Sequence, residues 1–307
     1  MDTNEAKFRK PISAVDGRES FAPAKLNLFL AVTGRRADGF HDLVSVAVPL
    51  EFGDALRMNA AEDFTLECDD PAVPSDETNL ILKAARAFVA ATGWKGGASF
   101  ALTKRVPAGA GLGGGSSDAV AALRLLNART GGLLGPEALS EVAATLGSDC
   151  PLFLADGPVV MRGRGERVEA LPATVGARLR GRRALIFKPG FGVSTPWAFG
   201  RMAAGAPRSY LPGAEAEARL AAWIADERSP AEELLFNNME AVAFGKFVAL
   251  PALLQELRAE FGLTARMSGS GSACFALLGD DSPVAAIAKT VRGAWGASSF
   301  VVETRIA

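Results

Sequence analysis

Residues 107–118 read PAGAGLGGGSSD, five glycines and two serines between GASFALTKRV (97–106), which alternates like a half-buried strand, and AVAALRLLNA (119–128), which has apolar residues at helical spacing. A flexible linker would continue as glycine–serine repeats between polar flanks. These flanks are ordered, so the chain must pass from strand to helix through a loop almost devoid of side chains. Such backbone approaches an anion closely, because no Cβ blocks it and positive φ costs little. Ser116, Ser117 and Asp118 stand where the helix should begin, so free N–H groups and the positive end of the helix dipole face whatever the loop holds. An anion, phosphate above all, is the expected guest.

The commoner phosphate loops fit poorly. A Walker loop needs lysine after its glycines, and none follows. Gly109, Gly111 and Gly114 do satisfy G-x-G-x-x-G, but a dinucleotide fold wants an acidic residue about 20 positions later at the end of a second parallel strand. Glu137, the nearest candidate, follows Pro136 at an apparent helix start, which weakens the nicotinamide reading without removing it. A protein kinase places its HRD after its glycine loop, whereas the only histidine here, His41, comes before it.

At 307 residues the chain suggests about two domains. With 49% hydrophobic and 22% charged residues and a formal charge of −1, it reads as a soluble, cytoplasmic globular protein with no basic surface for nucleic acid. Cys68, Cys150 and Cys274 lie far apart without metal-ligand spacing and read as reduced thiols. No apolar run reaches membrane-spanning length, and the mixed-charge start reads as a loose extension over residues 1–18 rather than a signal peptide. Monomer and homodimer both remain open.

Strands are expected at 21–32, 43–51, 54–59, 64–68 and 98–106, with helices at 79–92, 116–130 and 136–146. After Leu171 the pattern changes. A strand at 184–189 precedes helices near 195–204, 213–226 and 248–261, and strands near 264–268, 273–278 and 298–305 enclose a helix near 283–293. This order predicts two α+β domains, 1–180 and 181–307, with 205–213 as an internal loop. A second glycine loop, SGSGSA at 268–273, lies between strand-like flanks and reads as a turn that presents backbone N–H groups. Two such loops favour a polyphosphate held from two sides.

PAKLNLFLAVTGRRADGFHDL (23–43), VPAGAGLGGGSSDA (106–119) and RMSGSGSACFAL (266–277) together resemble the GHMP kinase superfamily. PAKLNLFL with GRRADGFH, the lengthened GLGGGSSDA, and LGSDCPLF (146–153) resemble its branch that phosphorylates 4-diphosphocytidyl-2-C-methyl-D-erythritol in the non-mevalonate isoprenoid pathway. The resemblance implies an N-terminal domain like the second domain of ribosomal protein S5, a ferredoxin-like C-terminal domain, and an active site in the cleft between them. It implies transfer of the γ-phosphoryl of ATP, with Mg²⁺, to the 2-hydroxyl of a small molecule bearing cytidine diphosphate. Homoserine- and mevalonate-type acceptors are the nearest alternatives.

Carried onto this sequence, the resemblance makes Asp149 the catalytic base, where residue type alone suggests a turn or cap. Lys25 and Asn27 share one strand face by alternation with Leu26 and Leu28. The resemblance puts Lys25 beside Asp149 and Asn27 on the substrate. Pro107, Gly109, Gly111, Leu112, Gly113, Gly114, Gly115, Ser116 and Ser117 would hold the ATP phosphates, with Ser117 the candidate metal ligand. Phe40 would stack on the cytosine and His41 would hydrogen-bond it; the commoner family residue at position 40 is tyrosine. Thr195 and Pro196 would contact substrate while also starting a helix, with Thr195 as its cap. Phe199 is either the opposite wall of the base pocket or core. Lys104 is either a ligand contact or a surface lysine. Gly269 and Gly271 would form the floor near the diphosphate, and Asn237, Asn238 and Glu240 start a helix.

Overall fold

The computed structural model describes residues 18–307, so the expectation of a loose extension falls, Arg18 apart, outside the described residues. The first sheet is built on two long antiparallel strands, β1 (Glu19–Arg35) and β2 (His41–Ala61). β2 replaces the two strands expected at 43–51 and 54–59. Gly53, opposite Pro23, carries the strand through, because a Cβ there would lie 2.3 Å from the Ala22 carbonyl oxygen.

β3 (Thr65–Cys68) and β4 (Gly97–Thr103) extend the sheet beyond β2, with α1 (Leu80–Thr92) between them in sequence. Asn79 caps α1 by accepting from the Ile81 N–H at 2.9 Å. The helix turns Ile81, Leu82, Ala84, Ala85 and Phe88 inward. Truncating a ring as buried as Phe88 to alanine costs about 3–5 kcal/mol. β4 stops three residues short of the expected end because the buried Asp54 carboxylate captures the N–H groups of Arg105 and Val106, at 2.5 and 2.8 Å.

α2 (Gly114–Arg129) and α3 (Pro136–Leu146) follow and, with α1, cover one face of the sheet. A short 3₁₀ turn (Pro151–Leu154) leads to a hairpin of β5 (Val159–Arg162) and β6 (Arg167–Ala170), hydrogen-bonded to β2. At four residues a strand, the hairpin was too short for its periodicity to register in the sequence.

After α4 (Ala173–Ala177) the chain enters the second sheet at β7 (Arg183–Lys188). α5 (Thr195–Ala204), α6 (Gly213–Ala225) and α7 (Ala231–Leu234) come next. Then β8 (Phe236–Asn237) returns to the first sheet, pairing parallel with Phe29 and Leu30 of β1. α8 (Glu240–Lys246), α9 (Ala249–Phe261), β9 (Ala265–Met267), β10 (Cys274–Leu278), α10 (Val284–Trp295) and β11 (Phe300–Arg305) complete the chain.

The second sheet is antiparallel, in the order β11-β7-β10-β9, the split βαβ arrangement of a ferredoxin-like unit. Both its faces are buried. Leu185, Phe187, Cys274, Ala276 and Leu278 pack against α5, α8, α9 and α10, while Ala184, Ile186, Phe275 and Leu277 join the core shared with β1, β2 and α6. The C-terminus crosses back to β2, where Leu50 bridges Ile306 and the Ala307 N–H donates to the Pro49 carbonyl at 3.0 Å. Among the described residues no helix is long and apolar enough to cross a membrane.

Candidate active site

At two positions of the first glycine loop, contacts leave no room for a side chain. Gly111 has φ 79°, and a Cβ on it would lie 2.2 Å from the Ser268 carbonyl oxygen. Gly113 has φ 73° and would press a Cβ on the Phe153 ring at 2.8 Å and the Lys25 stem at 3.0 Å. Gly113, not Ser116, is the N-cap of α2, so the helix begins two residues earlier than expected and no side chain caps it. The first intrahelical bond runs from the Ser117 N–H to the Gly113 carbonyl at 2.9 Å. The N–H groups of Gly114, Gly115 and Ser116 precede it and have no helical acceptor, at the positive end of a 16-residue helix. Ser116 opens into the cleft beside the buried Cys150, whose thiol is pushed up to about 12 mainly by burial.

The second glycine loop is bound directly to the first. The Ala273 N–H donates to the Ala110 carbonyl at 3.0 Å, and the Ser268 hydroxyl to the Gly111 carbonyl at 3.0 Å. Asn237 braces this loop from below: its amide nitrogen donates to the Met267 and Gly269 carbonyls at 2.8 and 2.9 Å. Glu240 accepts the Met267 N–H at 2.8 Å, and burial raises its pKa. Asn238 bonds both the N–H and the carbonyl of Val32. Asn237, Asn238 and Glu240, expected only to start a helix, therefore also tie β1 and the second glycine loop to that segment.

Lys25 and Asn27 do share the face opposite Leu26 and Leu28, which are buried in the core. The Lys25 ammonium donates to Asn27 Oδ1, and Asn27 Nδ2 donates to Ser45 Oγ at 2.9 Å. The Lys25 N–H holds the Leu112 carbonyl at 2.9 Å, which fixes β1 to the glycine loop. Lys25 Nζ lies 3.6 Å from Asp149 Oδ2, with Lys25 3% and Asp149 40% exposed. That is an ion pair longer than a hydrogen bond. Burial lowers the pKa of Lys25, and the Asp149 carboxylate opposes the shift by favouring the ammonium.

The aromatic end of the cleft is made by Phe40, His41 and Phe199. The rings of His41 and Phe199 are 4.8 Å apart, so Phe199 is a cleft wall. Phe40 is 48% exposed, with the Arg164 guanidinium 4.9 Å from its ring centre. His41 Nε2 lies 3.1 Å from the Tyr210 hydroxyl. Burial, then the charge of Arg35, lowers the pKa of His41. Thr195 and Pro196 lie at the start of α5, but Ser194 caps it by accepting the Trp197 N–H. Thr195 instead spends its hydroxyl on Ser270, at 2.7 Å, across to the second loop.

These groups line one cleft of about 730 Å³, a volume suited to a small-molecule site. Lys25, Asn27, Phe40, His41, Gly111, Gly113, Ser116, Asp149, Thr195, Pro196, Phe199 and Gly269 all line it, with Ser45, Arg35, Arg164 and Ser270, which had no sequence signal of their own. Pro107, Gly109, Leu112, Gly114, Gly115 and Gly271 shape the loops from outside that lining.

Two expectations need correction. Lys104 is neither a surface residue nor part of the cleft lining: it is buried between Asp54 and Asp118, at 2.5 and 2.9 Å, under the start of α2. Ser117 is turned inward, 1% exposed, and its hydroxyl has no hydrogen-bond partner among the described residues, whereas Ser116 lines the cleft.

Among the described residues no cluster of three acidic, histidine or cysteine side chains forms a metal cage. Mg²⁺ with a nucleotide usually needs only one or two protein oxygens, the rest coming from phosphates and water. The Ser116 hydroxyl, facing the cleft at the start of α2, is a fitting donor of that kind. The nicotinamide reading fails on topology, because the glycine loop follows an antiparallel neighbour of β2 and leads through α2 to α3 rather than to a second parallel strand.

The chain matches the GHMP kinases N terminal domain over residues 79–157 and the GHMP kinases C terminal model over 226–297. It is 41% identical to the 4-diphosphocytidyl-2-C-methyl-D-erythritol kinase of Synechococcus sp. strain CC9902, over 84% of this chain and 87% of that one. It is also 41% identical to the enzyme of the same name from Granulibacter bethesdensis, over 89% and 88%. The crystal structure of a 4-(cytidine 5′-diphospho)-2C-methyl-D-erythritol kinase superposes with a TM-score of 0.74 at 34% identity, covering 94% of this chain and all of the other. A homoserine kinase from Cytophaga hutchinsonii shares the fold at a TM-score of 0.70 with 18% identity, so the fold by itself does not select the acceptor. With that level of identity over most of its length and this two-domain architecture, the chain belongs to the 4-diphosphocytidyl-2-C-methyl-D-erythritol kinase family of GHMP kinases.

Proposed function

We propose that this protein transfers the γ-phosphoryl group of ATP to the 2-hydroxyl of 4-diphosphocytidyl-2-C-methyl-D-erythritol, giving the 2-phosphate and ADP. One observation carries the reading: the Lys25–Asp149 pair lies in one cleft between a helix-borne glycine loop at one end and an aromatic pocket at the other. The loop suits a triphosphate, through the free N–H groups at the start of α2. The aromatic pocket suits a pyrimidine, with Phe40 and Phe199 as its faces and His41 at its edge.

Asp149 accepts the proton of the acceptor hydroxyl at its carboxylate. Phosphoryl transfer runs through a loose transition state in which the nucleophile needs little activation, so orientation of that hydroxyl is the larger part of its role. Lys25, with its ammonium 3.6 Å from that carboxylate, offsets charge on the transferring phosphoryl oxygens. Asn27, oriented by Lys25 and Ser45, is placed to hold substrate. Mg²⁺ bound with the nucleotide would neutralise charge at the phosphates, and the Ser116 hydroxyl is the protein group that would hold it. Thr195 and Ser270, bonded across the cleft, fix the wall where the acceptor lies.

Incubation with ATP, Mg²⁺ and 4-diphosphocytidyl-2-C-methyl-D-erythritol, counting ADP, tests the reading. Turnover with this substrate and none with mevalonate or homoserine is expected; the opposite pattern would overturn it.

A further inference from the structure

We propose that Tyr210 is a positioning residue for substrate recognition: its hydroxyl donates to Nε2 of His41 and fixes the imidazole in the tautomer that presents Nδ1–H to the cleft, where it donates to an acceptor atom on the pyrimidine. The proposal rests on the substrate class argued above and adds a residue to it.

Tyr210 Oη and His41 Nε2 are 3.1 Å apart, and this is the only hydrogen bond the Tyr210 hydroxyl makes among the described residues. If Nε2 carried the proton and donated to the phenol, the phenolic hydrogen would have no protein acceptor among the described residues and would be left to solvent. With the phenol as donor both groups are satisfied, and the one remaining imidazole proton must sit on Nδ1. Among the described residues no protein group bonds Nδ1, and His41 lines the cleft. Burial raises the pKa of Tyr210, so the phenol keeps its hydrogen, and His41 is held neutral below its ordinary value.

The tyrosine is also held in place. Its segment is tied by the Leu211 N–H to the Val32 carbonyl at 3.2 Å, by Asn238 Nδ2 to the Ser209 carbonyl at 3.1 Å, and by the Ser209 hydroxyl to the Met202 carbonyl at 2.5 Å. Phe199 also packs on the imidazole, ring centres 4.8 Å apart and planes tilted by 33°, so the ring is held by aromatic contact and by one directional bond. Phe40 brings a ring but no hydroxyl to the pocket; Tyr210, the sole tyrosine, meets His41 behind the cleft lining and does not line it itself.

The test uses the fact that His41 is the only histidine. In tag-free ¹⁵N-labelled protein, the two imidazole nitrogens form a single spin system. A protonated Nδ1 and a bare Nε2 are expected in the wild type, shifting toward Nε2–H in Tyr210→Phe. The same substitution is expected to raise KM for the cytidylyl substrate about fivefold, the ~1 kcal/mol of one neutral hydrogen bond, with kcat and KM for ATP unchanged. An Nε2–H signature in the wild type, or an unmoved substrate KM in Tyr210→Phe, would overturn the proposal. If the wild type fails to phosphorylate the cytidylyl substrate, the functional reading falls, while the tautomer measurement still judges the role of Tyr210.

Discussion

Three glycines of one loop, each replaced by alanine, separate backbone strain from close approach. Gly111 carries both: φ of 79°, and a Cβ that would stand 2.2 Å from the Ser268 carbonyl oxygen, a backbone atom that cannot swing away. Left-handed backbone costs an alanine about 1–2 kcal/mol, and forcing a methyl into a packed contact a further ~1–3 kcal/mol. Gly111→Ala is therefore expected to lose about 2–5 kcal/mol, or roughly 4–10 °C of Tm at about 2 °C per kcal/mol. Gly109 has φ of 61° but open space around its Cβ, so its variant bears the strain alone, about 1–2 kcal/mol. Gly115 lies in α2 with only Leu80 Cδ1 near its Cβ, at 3.6 Å, and alanine there is expected to be neutral or to stabilise by up to ~1 kcal/mol. Thermal melts rank the three; ATP saturation curves show whether the loop moved, with KM expected to rise about tenfold only where the two loops are pushed apart, in Gly111→Ala. A Gly111→Ala protein that melts with Gly109→Ala would refute the idea that contact with the second loop fixes the glycine.

Other outcomes follow from the same structure. Asp149→Asn and Lys25→Ala should each lower kcat more than tenfold with the melting profile kept, and near-normal turnover in Asp149→Asn would remove the base assignment. Lys104→Met leaves Asp54 and Asp118 facing each other in the core, and should cost about 3–5 kcal/mol in urea denaturation. Burial and the Asp54 charge push Asp118 up to about 8, so the native state holds a proton that the unfolded chain releases near pH 4. Its stabilising contribution is complete below about pH 4 and is lost as pH rises through about 8; Asp118→Asn should flatten the Tm profile across that window. Asn237→Ala frees the Met267 and Gly269 carbonyls and should lower kcat/KM about tenfold while leaving the cytidylyl KM the less affected term, as steady-state kinetics would show.

The legible parts of the sequence were those where local physics and position coincide. The glycine loop, the shared face of Lys25 and Asn27, and the long helices could be read because each rests on spacing within one segment. Contacts between distant segments left no local trace. Lys104 looks like a strand-end lysine until Asp54 and Asp118 are seen around it, 50 and 14 residues away. Ser117 reads as a cap like Ser116, but the helix starts early at Gly113 and its first turn carries Ser117 inward. The NNME segment promised a helix start and supplies in addition a brace for β1 and the second glycine loop, because its partners, Val32 and Met267, lie on other strands. Tyr210 stood in a proline- and glycine-rich loop with nothing to connect it to a histidine 169 residues earlier.

The returning strand β8 and the terminal bridge from Ile306 to Leu50 make the two halves of the chain mutual property. A cut in the linker between β6 and β7 would leave a front fragment with an open flank along β1 and a rear fragment carrying a strand with no sheet to join. Such a nicked protein should stay assembled, elute as one particle and melt in one transition, whereas either fragment made alone should not reach its native form. Evolution could then exchange acceptor pockets among relatives only by editing side chains and loops, since swapping whole halves would unravel the weave that holds the two glycine loops edge to edge.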